Sequence, residues 1–572
     1  MTLLSPVLDQ PQSIDWEQIA PDSVYRLANQ DLYFDVDANT DLTNLVWPWA
    51  GEQYVKQISL RVTAPREEAM IPMVTRFFPG HQELILGTEG VIVSKRVAVP
   101  RQSDHDRSVL WLLDCQAEGD RLLRLEVTID WGEPLTQRMV DGLLVAQRNP
   151  GPARGLYQQS NADLTCVFGN PQARPDQINI DDNQRAHLVY HVLVNGMVEV
   201  PLVLTVSDVG EQMAWNGFLA LRDADRAFEI SEKAWSTALK TGRLWTPDSQ
   251  FNHAVQAGKL AALRHIQRLR TGFAASDHQP LHTPGLIDFT DTFDLILSRN
   301  LLAHLRRVAE ATAGRLPVQL PLHSKEEPLD PGAEVVATNH AYLNAIYRHL
   351  QRHFDAELLA AHYQAVGLCA EQLLRQREAM TTEGSHEAAV LVNQAIDYAR
   401  QLAETQQDRT NAARWTIEAQ ERNGHVGDQP ETSALIARLL TNWQPVSERP
   451  HYFADHWRGI ATAGAALWQG CGITWRDETL WVEPSWPQSW SWWAILDLPL
   501  VQGKLSLVWD GETLHSTLPI QSNCPVERHD MIRARNTDEL EFDLHFELQS
   551  DREGKKERRM IKPQFNLNET KA

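Results

Sequence analysis

Hydrophobic and polar positions along this chain recur with two periods, and the changes of period divide it. From Val24 to about residue 210, short runs of period two alternate with turn residues. Examples are Tyr33-Phe34-Asp35-Val36, Ile58-Ser59-Leu60-Arg61-Val62, Val91 to Val99 and Leu123 to Ile129. Such dense alternation predicts antiparallel strands with one wet face, hence an N-terminal antiparallel β-sandwich over 23–210. Further strands are expected at Leu164–Phe168, His187–Leu193 and Val198–Val206. Pro201, in the last of these, cannot donate to a ladder, which predicts an edge position or a bulge. Residues 1–22 are polar and proline-containing and read as a lead-in.

Beyond Gly210 the period lengthens. Residues 211–245 read as a linker helix anchored by Leu221, Phe228 and Trp235, and 246–470 as a run of helices. Trp245-Thr246-Pro247-Asp248-Ser249 has the form of a helix start: a hydroxyl cap, a proline whose missing N–H costs nothing, and an acid against the positive helix end. Phe251, Val255, Gly258, Ala262, Ile266 and Leu269 then recur at helical spacing, predicting one long helix. Further helices are expected at about 291–313, 333–353, 355–380, 385–406, 409–422, 431–443 and 453–469, with Gly314, Gly384, Gly424, Gly427 and Gly470 as punctuation. Eight helices joined by mostly short loops predict antiparallel α/α hairpins. Period two returns at Ile473–Trp475, Thr479–Val482, Trp492–Leu496, Lys504–Trp509 and Thr513–Leu518, with Asp510-Gly511 as a hairpin turn signal. These runs predict a small C-terminal β-sandwich over 471–525. Residues 526–572 form a charged C-terminal segment, of which Ser550–Ala572 is expected to be mobile or loosely docked.

Composition narrows the function classes. A chain of 572 residues with 53 Lys and Arg against 75 Asp and Glu carries a formal charge of −22. An acidic surface repels phosphates and anionic lipid, which argues against nucleic acid or a membrane as partner. The five cysteines are far apart, and no CxxC or Cys/His spacing suggests a metal site, so buried free thiols in a reducing compartment are expected. No secretory signal and no long apolar run is visible, so a soluble, cytoplasmic protein is expected. No P-loop, dinucleotide glycine motif, HExxH or GxSxG is present.

The candidate chemistry is acidic and aromatic. Asp288, Asp291 and Asp294 are spaced three apart, on one face of a helix start. They either position substrate hydroxyls or cap the helix and complement its dipole. Glu383 and Glu387 flank a Gly-Ser turn, and Glu431 follows Pro430; capping explains all three. In His456-Trp457-Arg458-Gly459 an aromatic plane stands beside a guanidinium, which suits a pyranose face with its hydroxyls, or an anion; a Trp packed in the core with Arg reaching solvent is the plainer alternative. Of nineteen tryptophans, those from 475 to 493 lie in or beside strands, where they serve as core filling. Trp245 and Trp415, near helix starts, are better pocket candidates.

Two stretches carry a family resemblance. The first is Gly459-Ile460-Ala461-Thr462-Ala463-Gly464-Ala465-Ala466-Leu467-Trp468-Gln469-Gly470, followed by a strand hairpin and the turn Pro484-Ser485-Trp486-Pro487. The second is Glu326-Glu327-Pro328 followed by Ala337-Thr338-Asn339-His340-Ala341-Tyr342-Leu343-Asn344. Together with the order sandwich, helices, small sandwich, they resemble the six-hairpin glycosidase superfamily, in particular family 65 disaccharide phosphorylases and family 15 glucoamylases. The resemblance implies an α/α barrel, cleavage of an α-glucoside, and Glu326 or Glu327 as general acid. Inorganic phosphate would be the co-substrate in a phosphorylase, and no other cofactor is implied. Asp288, Asp291, Trp457, Arg458 and Trp245 would then hold the oligosaccharide or glycoside. One departure stands out: eight helices in place of the family's twelve predict a shortened, incomplete six-hairpin toroid. A non-catalytic relative that keeps the scaffold to bind an oligosaccharide or a protein is the alternative.

Overall fold

The computed structural model describes residues 12–15, 24–47, 52–64, 69–88, 90–101, 107–148, 164–320, 335–379, 386–420, 431–446, 449–453, 456–476, 478–536, 544–552 and 555–561. Two compact units emerge. One comprises Met1–Thr237, Gln267–Leu269 and Pro445–Tyr452, the other Ala238–Ile266, Arg270–Gln444 and Phe453–Ala572.

The first unit is built on a fourteen-stranded antiparallel sheet. Its axis is the pair Ser108–Asp130 and Ala186–Ser207, joined from Ala186↔Ile129 to Thr205↔Ser108 with one irregularity between Val194 and Gly196. One half of Ser108–Asp130 also pairs with Val91–Ala98 and the other with Glu52–Thr63, so a single strand feeds two branches of the sheet. Pro201 faces Leu112 on one side, while the strand Leu164–Gly169 reaches only as far as Val203. Among the described residues the proline therefore lies where its strand is locally an edge, the position its missing N–H demands.

The expected linker helix is two helices, α1 (Glu211–Ala220) and α2 (Ala224–Lys240). The chain breaks because the Asp223 carboxylate accepts from the Arg226 N–H at 3.2 Å, capping a new helix. Nor do these helices merely connect. Ala214, Phe218, Leu221, Ala224, Ala227 and Phe228 pack on Leu110, Leu112, Val145, Val167 and Val203, closing the core of the sheet.

The second unit opens with α3 (Ser249–His265), capped by Asp248 at 2.9 Å from the Phe251 N–H rather than by the Thr246 hydroxyl, which bonds Asn252. The helix stops four residues short of the predicted end. Ile266 turns extended (φ −91°, ψ 120°), and Ile266–Leu269 is a strand paired with Gly272–Ala275. A helix not foreseen follows, α4 (Thr283–Thr290). It begins with Pro284-Gly285, which reads as a breaker but is tolerated in a first turn, and all eight of its residues are buried, so it shows no amphipathic contrast. The remaining helices are α5 (Leu295–Ala311), α6 (Val335–His353), α7 (Ala356–Ala379), α8 (His386–Thr405), α9 (Arg409–Gln420), α10 (Thr432–Asn442) and α11 (His456–Cys471).

Small residues let the central helices approach closely. A Cβ on Gly285 would lie 3.2 Å from Ala461 Cα, one on Gly464 2.6 Å from Asp288 Cβ, and one on Gly258 2.8 Å from the Phe289 ring. The glycine- and alanine-rich face of α11 is thus the surface on which α3 and α4 seat. From α10 and α11 the packing runs through α3 and α4 to α6, α8 and α9, with α5 and α7 behind. Among the described residues no extensive packing joins α9 back to α10, so these nine α-helices form an arc.

Beyond α11 the hairpin Ile473–Arg476 and Thr479–Val482 leads into Pro484-Ser485-Trp486-Pro487. That turn docks on the helix end: the Ser485 N–H donates to Gly470 O at 2.9 Å, and the Trp486 ring occupies the space a Gly470 side chain would need. A five-stranded sheet follows, in the order Arg243–Trp245, Trp493–Leu500, Gly503–Trp509, Leu514–Ser516, Val526–Arg528. The charged segment contributes Val526–Arg528 to that sheet, and the stretch expected to be mobile holds the end of the strand Leu544–Arg552 and all of Lys555–Ile561. The strands Met531–Asn536, Leu544–Arg552 and Lys555–Ile561 form a further three-stranded sheet. The physical reason is alternation beneath the charge: Ile532, Phe546, Leu548 and Ile561 are buried against Trp492, Ala494, Leu496 and Val508.

Candidate functional site

Helix α6 organises the second unit's polar interior. Two i, i+4 ladders run along it, Asn344-Arg348-Arg352 and His349-His353, on neighbouring faces. Opposite stand two carboxylates, Asp288 on α4 and Asp291 at its C-terminal cap, both fully buried. Arg348 donates to Asp288 at 2.8 Å and Arg352 at 2.6 Å. Arg352 also donates to Asp291 at 3.2 Å, and His349 Nδ1 lies 2.7 Å from Asp291. His349 Nε2 stands 3.5 Å from Asp355, which takes Arg299 Nε at 2.7 Å. Trp468 of α11 closes the network: its indole N–H donates to the Asp288 carbonyl at 2.5 Å, and its ring lies 4.4 Å from the Arg352 guanidinium carbon.

Burial would keep these groups neutral, and the mutual charges decide otherwise. Burial lowers the His349 pKa, but Asp291 and Asp355 on its two nitrogens more than offset that and push it up to about 9. Burial raises the Asp291 carboxyl, yet the adjacent His349 and His353 hold it well below the usual range. His353 goes the other way, lowered chiefly by burial and further by its cationic neighbours His349 and Arg352. The ligating atoms of Asp291, His349 and His353 converge closely enough to suggest a metal. The guanidinium of Arg352 already holds Asp291, however, and a divalent ion would add charge beside two buried cations. The donor set is therefore read as an ion-pair network.

Arg348 is the link from this network to a cavity of about 280 Å³ lined by His282, His340, Asn344, Arg348, Leu391 and Trp457, among others. The guanidinium is held from behind, NH1 by Asp288 and Nε by Asn344 Oδ1 at 2.9 Å, and presents a fixed cation to the cavity. His340 is lowered to about 4 by burial and by Arg348, which leaves it neutral at pH 7. Trp457 stacks on His282, ring centres 4.2 Å apart and 6° from parallel. An aromatic wall, a fixed guanidinium and neutral polar groups suit a polyhydroxylated or anionic ligand.

Of the residues singled out from sequence, Trp457 lines this cavity, Asp288 lies behind it and reaches it through Arg348, and Asp291 lies deeper, held by Arg352 and His349. Capping does not explain those two acids, because Asp294 caps α5 by accepting from the Leu297 N–H at 3.0 Å. Arg458 is exposed on the first turn of α11. Trp245 stands in the C-terminal sheet, edge-on to Phe546 at 6.3 Å, and Trp415 is buried on α9. Glu326 and Glu327 fall outside the described residues, as do Glu383 and the side chain of Glu387. In the stretch Asn339 to Asn344, Asn339 holds the backbone at Gly314, Tyr342 bonds His362, Asn344 orients Arg348, and His340 reaches the cavity. Sequence reasoning overlooked Arg348, Arg352, His349 and Trp468. The i, i+4 pairing of two arginines on one helix was the available signal.

No known protein-family profile matches this sequence, and no curated protein matches it. The fold is similar to that of a solved structure described as "Putative kojibiose phosphorylase from human microbiome", with a TM-score of 0.53 over 94% of this chain and 96% of that one. At 9% identity the match concerns architecture alone: the order of sheet, helices and sheets is shared with that structure.

Proposed function

We propose that this protein is carbohydrate-active, its helices forming a shortened version of the six-hairpin barrel, and that it acts on α-linked glucosides at the cavity beside α6. The observation that carries this reading is Arg348, anchored by Asp288 and Asn344 and facing a cavity walled by Trp457. Trp457 and His282 provide the flat face that a pyranose ring covers. Arg348 takes sugar hydroxyls or inorganic phosphate, and Asp288 and Asp291 hold the arginines rather than the sugar. Glu326 or Glu327 supplies the proton to the departing glycosidic oxygen, the step any glycoside cleavage requires.

One observation favours a second reading: among the described residues lining the cavity there is no carboxylate. A scaffold that binds an oligosaccharide without cleaving it fits that lining. Calorimetry with gluco-oligosaccharides and product release from aryl α-glucosides, each with and without phosphate, separate the two. Turnover abolished in Glu326→Gln or Glu327→Gln with binding retained supports catalysis. Binding without turnover in the wild-type protein supports the scaffold. Neither binding nor turnover across the α-glucosides overturns both.

A further inference from the structure

A second polar cluster lies in the C-terminal sheets and is independent of the cavity. The strands Leu514–Ser516 and Val526–Arg528 run parallel, with His515 paired to Glu527. His529 follows two residues after Glu527, and its N–H donates to Ser516 O at 2.8 Å. Three side-chain atoms converge: His515 Nδ1 is 3.0 Å from His529 Nε2 and 3.6 Å from Glu527 Oε2, and His529 Nε2 is 3.8 Å from the same oxygen. The nearest point equidistant from all three, in their own plane, lies roughly 2.0 Å from each, so an ion displaced slightly from that plane toward a solvent ligand sits at the length of a Zn–N or Zn–O bond (~2.0–2.2 Å).

The outer nitrogens are also occupied in the manner of metal-binding histidines. His515 Nε2 stands 3.0 Å from Asp510 Oδ2, so the proton belongs there and the Nδ1 lone pair points into the cluster. His529 Nδ1 stands 2.9 Å from the Ser550 hydroxyl on the strand Leu544–Arg552. His515 is fully buried and His529 nearly so, while Glu527 remains partly open to solvent, leaving a route of entry. We propose that His515 Nδ1, His529 Nε2 and Glu527 Oε2 bind one divalent transition-metal ion, with zinc as the best match to two imidazoles and a carboxylate and with solvent completing the shell. Asp510 and Ser550 orient the two rings, so the ion ties the parallel strand pair to the adjoining three-stranded sheet. Arg559, 3.5 Å from Glu527 and 3.9 Å from Asp510, is exposed and sits at the rim. No linear spacing motif announces the site, because the ligands meet only through strand register.

The test uses the full chain stripped with a chelator and titrated with Zn²⁺ by calorimetry and with Co²⁺ by visible absorption. One equivalent is expected, with tetrahedral Co²⁺ bands. Binding should be lost in His529→Gln and Glu527→Gln, and weakened about 10–100-fold in Asp510→Asn, which leaves all three ligands in place. His353→Gln, in the helical network, should bind as wild type does. Circular dichroism shows whether each variant folds, and Glu527→Gln, at a partly exposed side chain, keeps the test available if a histidine variant does not. Absence of binding, or binding unchanged in His529→Gln and Glu527→Gln, or lost in His353→Gln, overturns the proposal.

Discussion

Replacing Asp288 by Asn removes one buried charge and keeps the shape of the side chain. Asp288 is the common anion of Arg348 and Arg352, at 2.8 and 2.6 Å. Breaking a buried ion pair from one side costs ~3–5 kcal/mol, because the partner's charge stays desolvated. Here the partners are unequal. Arg348 is one-third exposed and can turn to the water of the cavity, whereas Arg352 is 93% buried and keeps only Asp291 at 3.2 Å and the face of Trp468. The structure therefore places the loss at the low end, about 3 kcal/mol, nearly all of it owed to Arg352. A chain of two units does not unfold in one step, so the measurement is urea-dependent hydrogen exchange resolved on the α6 peptides. The Asp288 carbonyl still accepts from Trp468 in this variant, so the α4–α11 contact is a constant background. The double variant Asp288→Asn with Arg352→Met should recover at least half of the loss, since it removes the stranded cation. A loss under about 1 kcal/mol, or strict additivity of the two changes, would refute the argument that Asp288 neutralises Arg352.

Stability of the helical unit should also depend on pH through the same network. The folded-state pKa of His349 is raised to about 9 from an ordinary 6.5, so its contribution is complete below about pH 6.5 and is lost as pH rises through 9. That shift corresponds to roughly 3 kcal/mol. Asp291 and Asp355 are depressed, so their contribution is present above about pH 4 and lost as pH falls below it. Melting temperature against pH should show the alkaline slope in the wild type and not in His349→Gln; equal slopes would count against the assignment. Gly464→Ala sets a methyl 2.6 Å from Asp288 Cβ and should cost about 1–3 kcal/mol by overpacking, read as a lower thermal midpoint. Arg348→Gln should leave folding nearly intact and weaken gluco-oligosaccharide or phosphate binding at least tenfold, about 1.4 kcal/mol, in calorimetry.

Legibility differed sharply between elements. The strand-rich character of the first unit and the positions of α5 to α11 follow from period, whereas the strand Gln12–Asp15 falls in the expected lead-in and the runs 187–193 and 198–206 are one strand, Ala186–Ser207. Helix α4 escaped notice because it is buried on every side and begins at Pro284-Gly285. The charged strands from Met531 to Ile561 escaped because charge outweighed an alternation of only four buried side chains. The acids were partly legible: Asp288 and Asp291 stand out as a spaced pair, and sugar contact or capping were the available explanations. Neither names their partners, which come from a helix some sixty residues later.

Local pattern by itself determined where the chain changes from strands to helices and back, the bounds of α5 to α11 to within a few residues, and the small-residue face of α11. Those properties depend on side-chain period, caps and turns within a few residues, and they are written in order along the chain. Tertiary structure alone decided that α4 wedges between α3 and α6, that two arginines one turn apart share a carboxylate, and that Asp288 reaches the cavity only through Arg348. It also decided that His515, Glu527 and His529 meet around a common point. Long-range charge pairing and strand register leave no fixed spacing in sequence, because any segment that presents the right group at the right distance satisfies them.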